Sequence, residues 1–337
     1  MKNSRAITLF HKRMQRSYKN TLKRFKKVVS SYARFKIIFF SVFLSEFFLL
    51  LAFFPFFSRS SFFAVVLGLL FLTVFSYFVL LFYFQAKRPE QMYLLKERFI
   101  DSCRQLNTAP KGSVEHHLSV AQCALSLVSH LTHFEYRCYS PLFGLSIFSS
   151  FCKKLGGYFH REDVFKMKEV LLHSAVKEHL DQIILSPTDL EVHASLANAY
   201  VSLSKFYLES GKNKFSRKIE TSLKQKFQHA AKRAIEELKI LCDYAPNDPW
   251  VHAQLAQSYQ SLNMCEQEMK EYEKLLELSP EDKTILFRLG VLYFQLGKNA
   301  KGLQVYEELK DCRFTNAEKL ISYYGAMKPF DAIEEIS

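Results

Sequence analysis

The sequence predicts an all-α protein in which a two-helix transmembrane hairpin precedes an α-solenoid of helix pairs. Two apolar runs, residues 37–57 and 62–84, are each long enough to form a membrane-spanning helix. From Pro89 onward, apolar residues recur every three or four positions, and strand-like alternation is absent from the sequence. Near the C-terminus, a repeat with a period of 34 residues indicates that the helices stack as antiparallel pairs.

Residues 1–36 form a basic arm that contains twelve Lys and Arg residues and neither Asp nor Glu. Its apolar residues recur at helical spacing: Phe10, Met14, Tyr18, Leu22, Phe25, Val29 and Tyr32. This pattern predicts an amphipathic helix that lies on the surface of a membrane with anionic lipids. The predicted membrane-surface contacts are Lys12, Arg13, Arg16, Lys19, Lys23, Arg24, Lys26 and Lys27.

The positive charge of the chain is concentrated in this arm. The formal net charge is +13, and outside residues 1–36 basic and acidic residues nearly balance. Nucleic-acid phosphates attract clustered Lys and Arg side chains irrespective of sequence, but an arm beside a membrane segment also meets anionic lipids. A disordered basic tail and a nucleic-acid-binding arm are therefore the alternatives, and nucleic acid is the least favoured partner.

The two apolar runs are separated only by residues 58–61, so the second helix returns directly. At about 1.5 Å per residue the runs reach roughly 32 and 35 Å, compared with about 30 Å for a hydrocarbon core. Lys and Arg residues that flank membrane segments are retained in the cytosol. Because the arm, Lys87 and Arg88 outweigh the single Arg59 of the connector, both termini are predicted to be cytosolic. A cleaved signal peptide is the competing interpretation, but its apolar core normally has about 7 to 15 residues.

Glu46 lies near the predicted bilayer centre, where an ionised carboxylate is costly. We expect it to be protonated and to hydrogen-bond Ser76 or Tyr77 of the second run, or a second copy of the chain. A proton or ion relay would need further ionisable groups, and neither run contains another carboxylate, Lys, Arg or His. The sequence thus leaves a homo-oligomer open.

Chemistry-bearing motifs are absent from the sequence. Seven widely spaced Cys residues without a C-x-x-C pair are typical of a reducing compartment. His116 with His117, and His130 with His133, lack a paired set of Cys or carboxylate ligands at metal spacing, so we expect no metal site. The motifs of phosphate-binding loops, dinucleotide-binding folds, zinc proteases and serine hydrolases do not occur. The sequence therefore predicts neither catalytic residues nor a cofactor.

Residues 90–186 form a helical region of no recognised family, and a repeat follows it. A shift of 34 residues superposes Leu255 on Leu289, Ala256 on Gly290, Tyr259 on Tyr293, Leu262 on Leu296, Tyr272 on Tyr306 and Leu275 on Leu309. These residues resemble the tetratricopeptide repeat. The resemblance implies helix pairs over residues 187–314, at about 189–246, 249–282 and 283–314, then a capping helix and tail over 315–337. Leu196 and Leu255 are 59 residues apart rather than 34, so the first pair is expected to be a long, basic, protruding hairpin.

Four residues depart from the family pattern: His252, Glu268, Gly302 and Phe314. A carboxylate at a helix contact needs a partner, so we expect Glu268 to pair with Lys298 or Lys301. In the capping helix, Leu320 and Tyr323 are expected to face inward.

The resemblance implies a concave groove, lined by the first helix of each pair, that binds a peptide or helix of a partner protein. By position it places in the groove Glu191, Ser195 and Asn198, then Trp250, Gln254, Gln257 and Ser261, then Thr284, Phe287, Arg288, Val291 and Gln295. Trp250, Phe287 and Arg288 are residue types common among binding anchors. Alternatively, Trp250 covers the preceding repeat.

The sequence thus predicts a membrane-anchored scaffold that recruits a protein partner at the cytosolic membrane face. A membrane-shaping protein is one alternative. The hairpin also resembles the bilobed inclusion-membrane proteins that intracellular bacteria export, which implies a vacuole-membrane protein that recruits a host factor. The expected location is therefore a bacterial inner membrane or, alternatively, a host-vacuole membrane.

Overall fold

The computed structural model describes residues 2–52, 62–107, 109–137, 146–211 and 217–325. These residues form helices and turns, with no strand among them, so the predicted all-α class is confirmed. The chain divides into two compact units, Met1–Leu185 and Ser186–Ser337.

The first unit contains α1 (Lys2–Ala52), α2 (Phe62–Leu106), α3 (Val114–His130), a 3-10 turn (Phe134–Arg137) and α4 (Ser146–Leu185). The second unit contains α5 (Leu190–Gly211), α6 (Arg217–Tyr244), α7 (Pro249–Ser261), α8 (Cys265–Leu278), α9 (Lys283–Gln295), α10 (Asn299–Asp311) and α11 (Ala317–Ile321). In the second unit α5 packs on α6, α7 on α8 and α9 on α10, which gives the predicted helix pairs.

Helix α1 runs without a break from the basic arm into the first apolar run. Met14, Tyr18, Phe25 and Val29 of the arm are buried in a core formed with α2, α3 and α4. The prediction that this stripe enters a lipid interface is therefore wrong, and so is the alternative of a disordered tail. The physical reason is that the neighbouring helices offer an apolar protein surface, which removes the stripe from water as effectively as lipid would. The side chain of Phe10 lies outside the described residues.

The apolar parts of α1 and α2 pack along a narrow aromatic seam and leave most of their side chains uncovered. Phe35 stacks on Tyr77 with 5.8 Å between the ring centroids and contacts Phe84 at 4.7 Å. Outside the seam, Phe40 is 67% exposed and Phe71 is 74% exposed. By length and composition both helices could cross a membrane, and the apolar windows are 6% and 0% buried within the protein. The connector at residues 58–61 lies outside the described residues.

Glu46 has its hydrogen-bond partner on the opposite helix, as expected, but the partner is a different residue. The Thr73 hydroxyl donates to one Glu46 carboxylate oxygen at 2.9 Å. The expectation of Ser76 or Tyr77 is corrected accordingly. Counting residues along the sequence gives the depth of Glu46 in the hairpin. Which of the side chains of α2 at that depth faces Glu46 depends on how α2 is rotated about its axis, and the aromatic seam sets this rotation.

Small residues mark the closest contacts of the helix pairs. A Cβ atom added at Gly302 would lie 2.5 Å from the Phe294 ring. One added at Gly290 would lie 2.8 Å from side-chain atoms of both Leu320 and Val305. Real Cβ atoms are farther than this from their neighbours, so a side chain at position 302 would clash with the Phe294 ring. This ring explains why position 302, a departure from the family pattern, is a glycine.

The capping helix lies within the predicted range and is short. Helix α11 has five residues, and Leu320 is completely buried, as expected. Tyr323 is 38% exposed, so its predicted inward orientation is wrong. The helix ends at Ile321, which leaves Tyr323 in the following turn. Residues 326–337 lie outside the described residues.

The first pair has longer helices than the others. Helices α5 and α6 have 22 and 28 residues, compared with 13 and 14 in α7 and α8. Lys212 and Lys214 of the predicted basic hairpin lie outside the described residues.

Candidate protein-binding face

The first helices of the three pairs are α5, α7 and α9, and we call their exposed residues the first-helix face. Helices α7 and α9 begin in the same way: the Asp248 carboxylate accepts the Trp250 N–H, and the Asp282 carboxylate accepts the Thr284 N–H, both at 2.9 Å. Asp is a favourable N-cap because its side chain satisfies an N–H that has no partner within the helix. These caps place Trp250 and Thr284 at equivalent positions, 34 residues apart.

The predicted groove residues differ in their exposure. Those that are exposed are Glu191, Asn198, Trp250, Gln257 and Thr284. Those that are partly buried are Ser195, Gln254, Ser261, Phe287, Arg288 and Gln295. Val291 is 3% exposed, so it lies beneath the first-helix face and is not available to a partner.

Arg288 is engaged within the protein by a buried carboxylate. Its Nε and Nη2 atoms donate to one Glu268 oxygen at 2.8 and 2.6 Å, and Glu268 is 1% exposed. The expected partners of Glu268 are therefore wrong: Lys298 contacts the Met269 sulfur at 3.3 Å, and Lys301 lies over the Tyr293 ring. Burial raises the pKa of the Glu268 carboxyl, and the Arg288 guanidinium only partly offsets this effect.

Phe287 also packs against another residue of the second unit. Its ring lies 6.0 Å from that of Phe314, which stands where the family pattern has a closing Pro. Trp250, at 39% exposure, is thus the most accessible of the three predicted anchors, because Phe287 and Arg288 have partners inside the second unit.

A cleft of about 280 Å³ opens between the C-terminal parts of α5 and α7. Val201, Leu208 and Phe227 contribute apolar walls, and α7 contributes amide and hydroxyl groups. The Lys205 ammonium donates to the Gln257 amide oxygen at 3.2 Å, which links the two first helices. The 34-residue pattern begins at Leu255, after the α5 residues of the cleft, and therefore did not reveal it, although Val201, Lys205 and Leu208 have the spacing of one helix face.

Two pairs carry the same buried histidine arrangement. His193 Nδ1 lies 2.7 Å from Glu237 Oε2, and its Nε2 lies 3.0 Å from the Pro187 carbonyl. His252 repeats this arrangement with distances of 2.7 Å to Glu271 and 2.9 Å to the Pro246 carbonyl. Each ring therefore bridges the second helix of its pair and the turn before the first.

The third pair replaces this arrangement with apolar residues. Leu286 and Val305 lie 34 residues after His252 and Glu271, and both are buried. His252, which departs from the family pattern, is thus one member of a polar pair. The other member, Glu271, lies on the second helix of the same pair.

The stability of the first pair is expected to fall as the pH rises above about 6.5, the ordinary histidine value. Burial alone would lower the pKa of His193, but the hydrogen bonds to Glu237 and to the Pro187 carbonyl outweigh it and raise the pKa. A histidine whose pKa is raised by folding stabilises the native state at low pH, and that stabilisation is lost as the pH passes through the folded pKa. Urea unfolding of the full chain, followed by the fluorescence of Trp250, measures this. Glu237→Gln should flatten the pH dependence, and an unchanged profile in that variant would contradict the assignment.

The predicted membrane-surface contacts of the arm lie on the outside of α1. Among them Lys12, Arg13, Arg16, Lys19, Lys23, Arg24 and Lys27 are exposed, and Lys26 is partly buried. Their contact with a membrane surface stays a prediction.

Another polar cluster joins α2, α3 and α4, and sequence reasoning missed it because its members are distant in the chain. Ligand-type atoms of His117, Glu178 and Asp181 lie within 4.8 Å of one another. Arg104 donates to one Glu178 oxygen at 2.7 Å, and His117 Nδ1 lies 2.7 Å from the other. Both oxygens are engaged, so the cluster acts as an ion-pair network that ties the three helices together.

Comparison with known families identifies one segment of the second unit. Residues 251–282, which span most of α7 and all of α8, match the tetratricopeptide repeat family model. A comparison with curated proteins finds no match for the chain. Residues 251–282 are thus similar to a tetratricopeptide repeat, and the helix pairs on either side of this segment have the same helix–turn–helix arrangement.

Proposed function

We propose that the protein is a membrane-anchored scaffold that recruits a partner protein through its first-helix face. Tetratricopeptide repeat domains generally bind protein partners, and family members are typically scaffolds without enzymatic activity. Tethering to a membrane raises the effective concentration of a bound partner there, so even a weak face would suffice.

One observation carries the membrane part of this proposal. The apolar windows of α1 and α2 are 6% and 0% buried, whereas the core helix of a soluble protein would be mostly buried. Water-exposed Phe, Leu and Val side chains over the length of two such helices would cause aggregation unless lipid covers them. The signal-sequence alternative fits poorly, because α1 continues into an arm that packs within the first unit.

The proposed orientation follows from charge. The cations of α1 and the pair Lys87 and Arg88 flank the apolar segments on one side, which supports a cytosolic location for both termini. The repeats then face the cytosol, where the partner would bind.

Replacing Trp250 and Gln257 with Ala is expected to weaken partner binding at least about tenfold, because exposed aromatic anchors dominate many protein interfaces. Both side chains are exposed on α7, and Gln257 also accepts the hydrogen bond from Lys205 of α5. The measurement is crosslinking and affinity capture from membranes with the full chain as bait.

The matched control is Tyr244→Ala, which removes an aromatic side chain that is 66% exposed at the end of α6, a second helix. Binding should survive this change. If the Trp250 and Gln257 variant retains its partners as well as the Tyr244 variant does, the first-helix face is not the binding surface.

A further inference from the structure

A second cleft, of about 260 Å³, lies between the apolar parts of α1 and α2. Its walls include Phe39, Phe43, Val74 and Tyr77, and its rim includes Phe40, which is 67% exposed. The cleft therefore opens toward the surroundings of the hairpin rather than toward the core of the first unit. On the proposed membrane function, those surroundings are lipid.

Lys36 lies at the arm-side end of this cleft. Its ammonium lies 4.7 Å from the centroid of the Tyr32 ring, and the Arg88 guanidinium lies 4.4 Å from the same ring. Arg88 forms an ion pair with Asp163, whose side chain is 1% exposed. The charge of Arg88 is thus compensated within the protein.

The charge of Lys36 is not compensated in this way. Among the described residues no carboxylate lies within ion-pair distance of its ammonium. Glu162 on α4 forms its ion pair with Lys166, at 2.7 Å, and this pair lowers the pKa of Glu162, with a smaller contribution from the charge of Lys36. A cation at the boundary of an apolar segment therefore has a free position for an anion. Along the helix, Lys36 and Phe43 are about 10 Å apart at a rise of about 1.5 Å per residue, so the cleft extends from that boundary into the predicted hydrocarbon region.

We propose that this cleft binds one anionic phospholipid of the cytosolic leaflet. The phosphate lies on Lys36, and a segment of one acyl chain lies along Phe39, Phe43 and Tyr77. The charge of the ammonium selects an anionic headgroup, and the aromatic walls accept the chain. The inference rests on the proposed membrane insertion and adds a specific lipid to it.

The test is native mass spectrometry of the full chain extracted in mild detergent, with added phosphatidylglycerol or with phosphatidylcholine of the same acyl chains. One phosphatidylglycerol should bind per chain, about fivefold more strongly than phosphatidylcholine, as expected for one lysine near an anionic surface. Lys36→Gln should abolish this preference. Val74→Trp, which fills the cleft and leaves the charge, should reduce binding of both lipids.

Arg34→Gln is the matched control, since it removes an exposed cation two residues away on the same helix. The preference for phosphatidylglycerol should persist in this variant. Equal losses in the Lys36 and Arg34 variants would show diffuse electrostatic attraction and overturn the proposal, as would wild-type binding by the Val74 variant. Sedimentation of each variant with membranes is measured in parallel. A chain that never sediments with membranes would refute the anchor itself, whereas a sedimenting chain without lipid preference would refute only the lipid site.

Discussion

Replacing Arg288 with Met is expected to lower the free energy of unfolding of the second and third helix pairs by about 3 kcal/mol. The change removes the two hydrogen bonds to Glu268 and leaves a carboxylate that is 1% exposed without its cation. Hydrogen exchange of the full chain in detergent, analysed by mass spectrometry, should show faster exchange in α8 and α9. The defect should shrink as the pH falls toward the ordinary carboxyl value of about 4.3, because the protonated Glu268 needs no cation.

The control is the double change Glu268→Ala and Arg288→Met. Replacing both members of a buried ion pair with apolar residues is often neutral, and Ala is a small residue at a position where the family pattern has one. Exchange in α8 and α9 should therefore return close to that of the unmodified chain. Equal destabilisation in the single and double variants would mean that packing by the Arg288 side chain, and not its charge, stabilises this contact.

Replacing Phe71 with Arg is expected to prevent stable integration of the chain into membranes. Phe71 lies near the middle of the second apolar run and is 74% exposed. A lipid-facing Arg near the centre of a spanning helix opposes insertion by about 3 kcal/mol. In a water-soluble protein the same change would replace an exposed apolar side chain with a charge and would be harmless. Extraction of membranes with alkaline carbonate distinguishes the two cases.

Ile184→Arg provides the matched control, because Ile184 is 78% exposed on α4, outside the apolar runs. This variant should remain with the membrane pellet after carbonate treatment. If the Phe71 variant also stays in the pellet while the protein folds normally, the lipid-facing assignment of α2 is wrong.

The helix pairs could be predicted because their signals are local. Leu and Tyr at a spacing of four, with Ala256 or Gly290 between them, define the packed face of a first helix, and the 34-residue shift gives the period. The apolar runs are equally local, since length and hydropathy suffice to recognise them.

The contacts between distant residues could not be predicted in the same way. The sequence pairs Glu268 with Lys298 or Lys301, yet its partner Arg288 projects from α9, because the choice of partner depends on how neighbouring helices are rotated. The apolar stripe of the arm has the pattern of a membrane-surface helix, but such a pattern indicates only that one face of the helix is shielded from water. Whether lipid or protein covers it was decided by residues 90–186, for which the sequence offered no fold.

The sidedness of the hairpin tests the proposed membrane anchor most directly. Single-cysteine chains are needed with Lys12→Cys, with Ser60→Cys in the connector, and with the native Cys312, which is exposed. Inverted inner-membrane vesicles, which present the cytosolic face, are treated with a membrane-impermeant maleimide. A membrane-spanning hairpin with cytosolic termini predicts that the thiols at positions 12 and 312 react in sealed vesicles, and that the thiol at position 60 reacts only after detergent is added. Reaction at position 60 in sealed vesicles, together with the other two, would contradict a membrane-spanning hairpin.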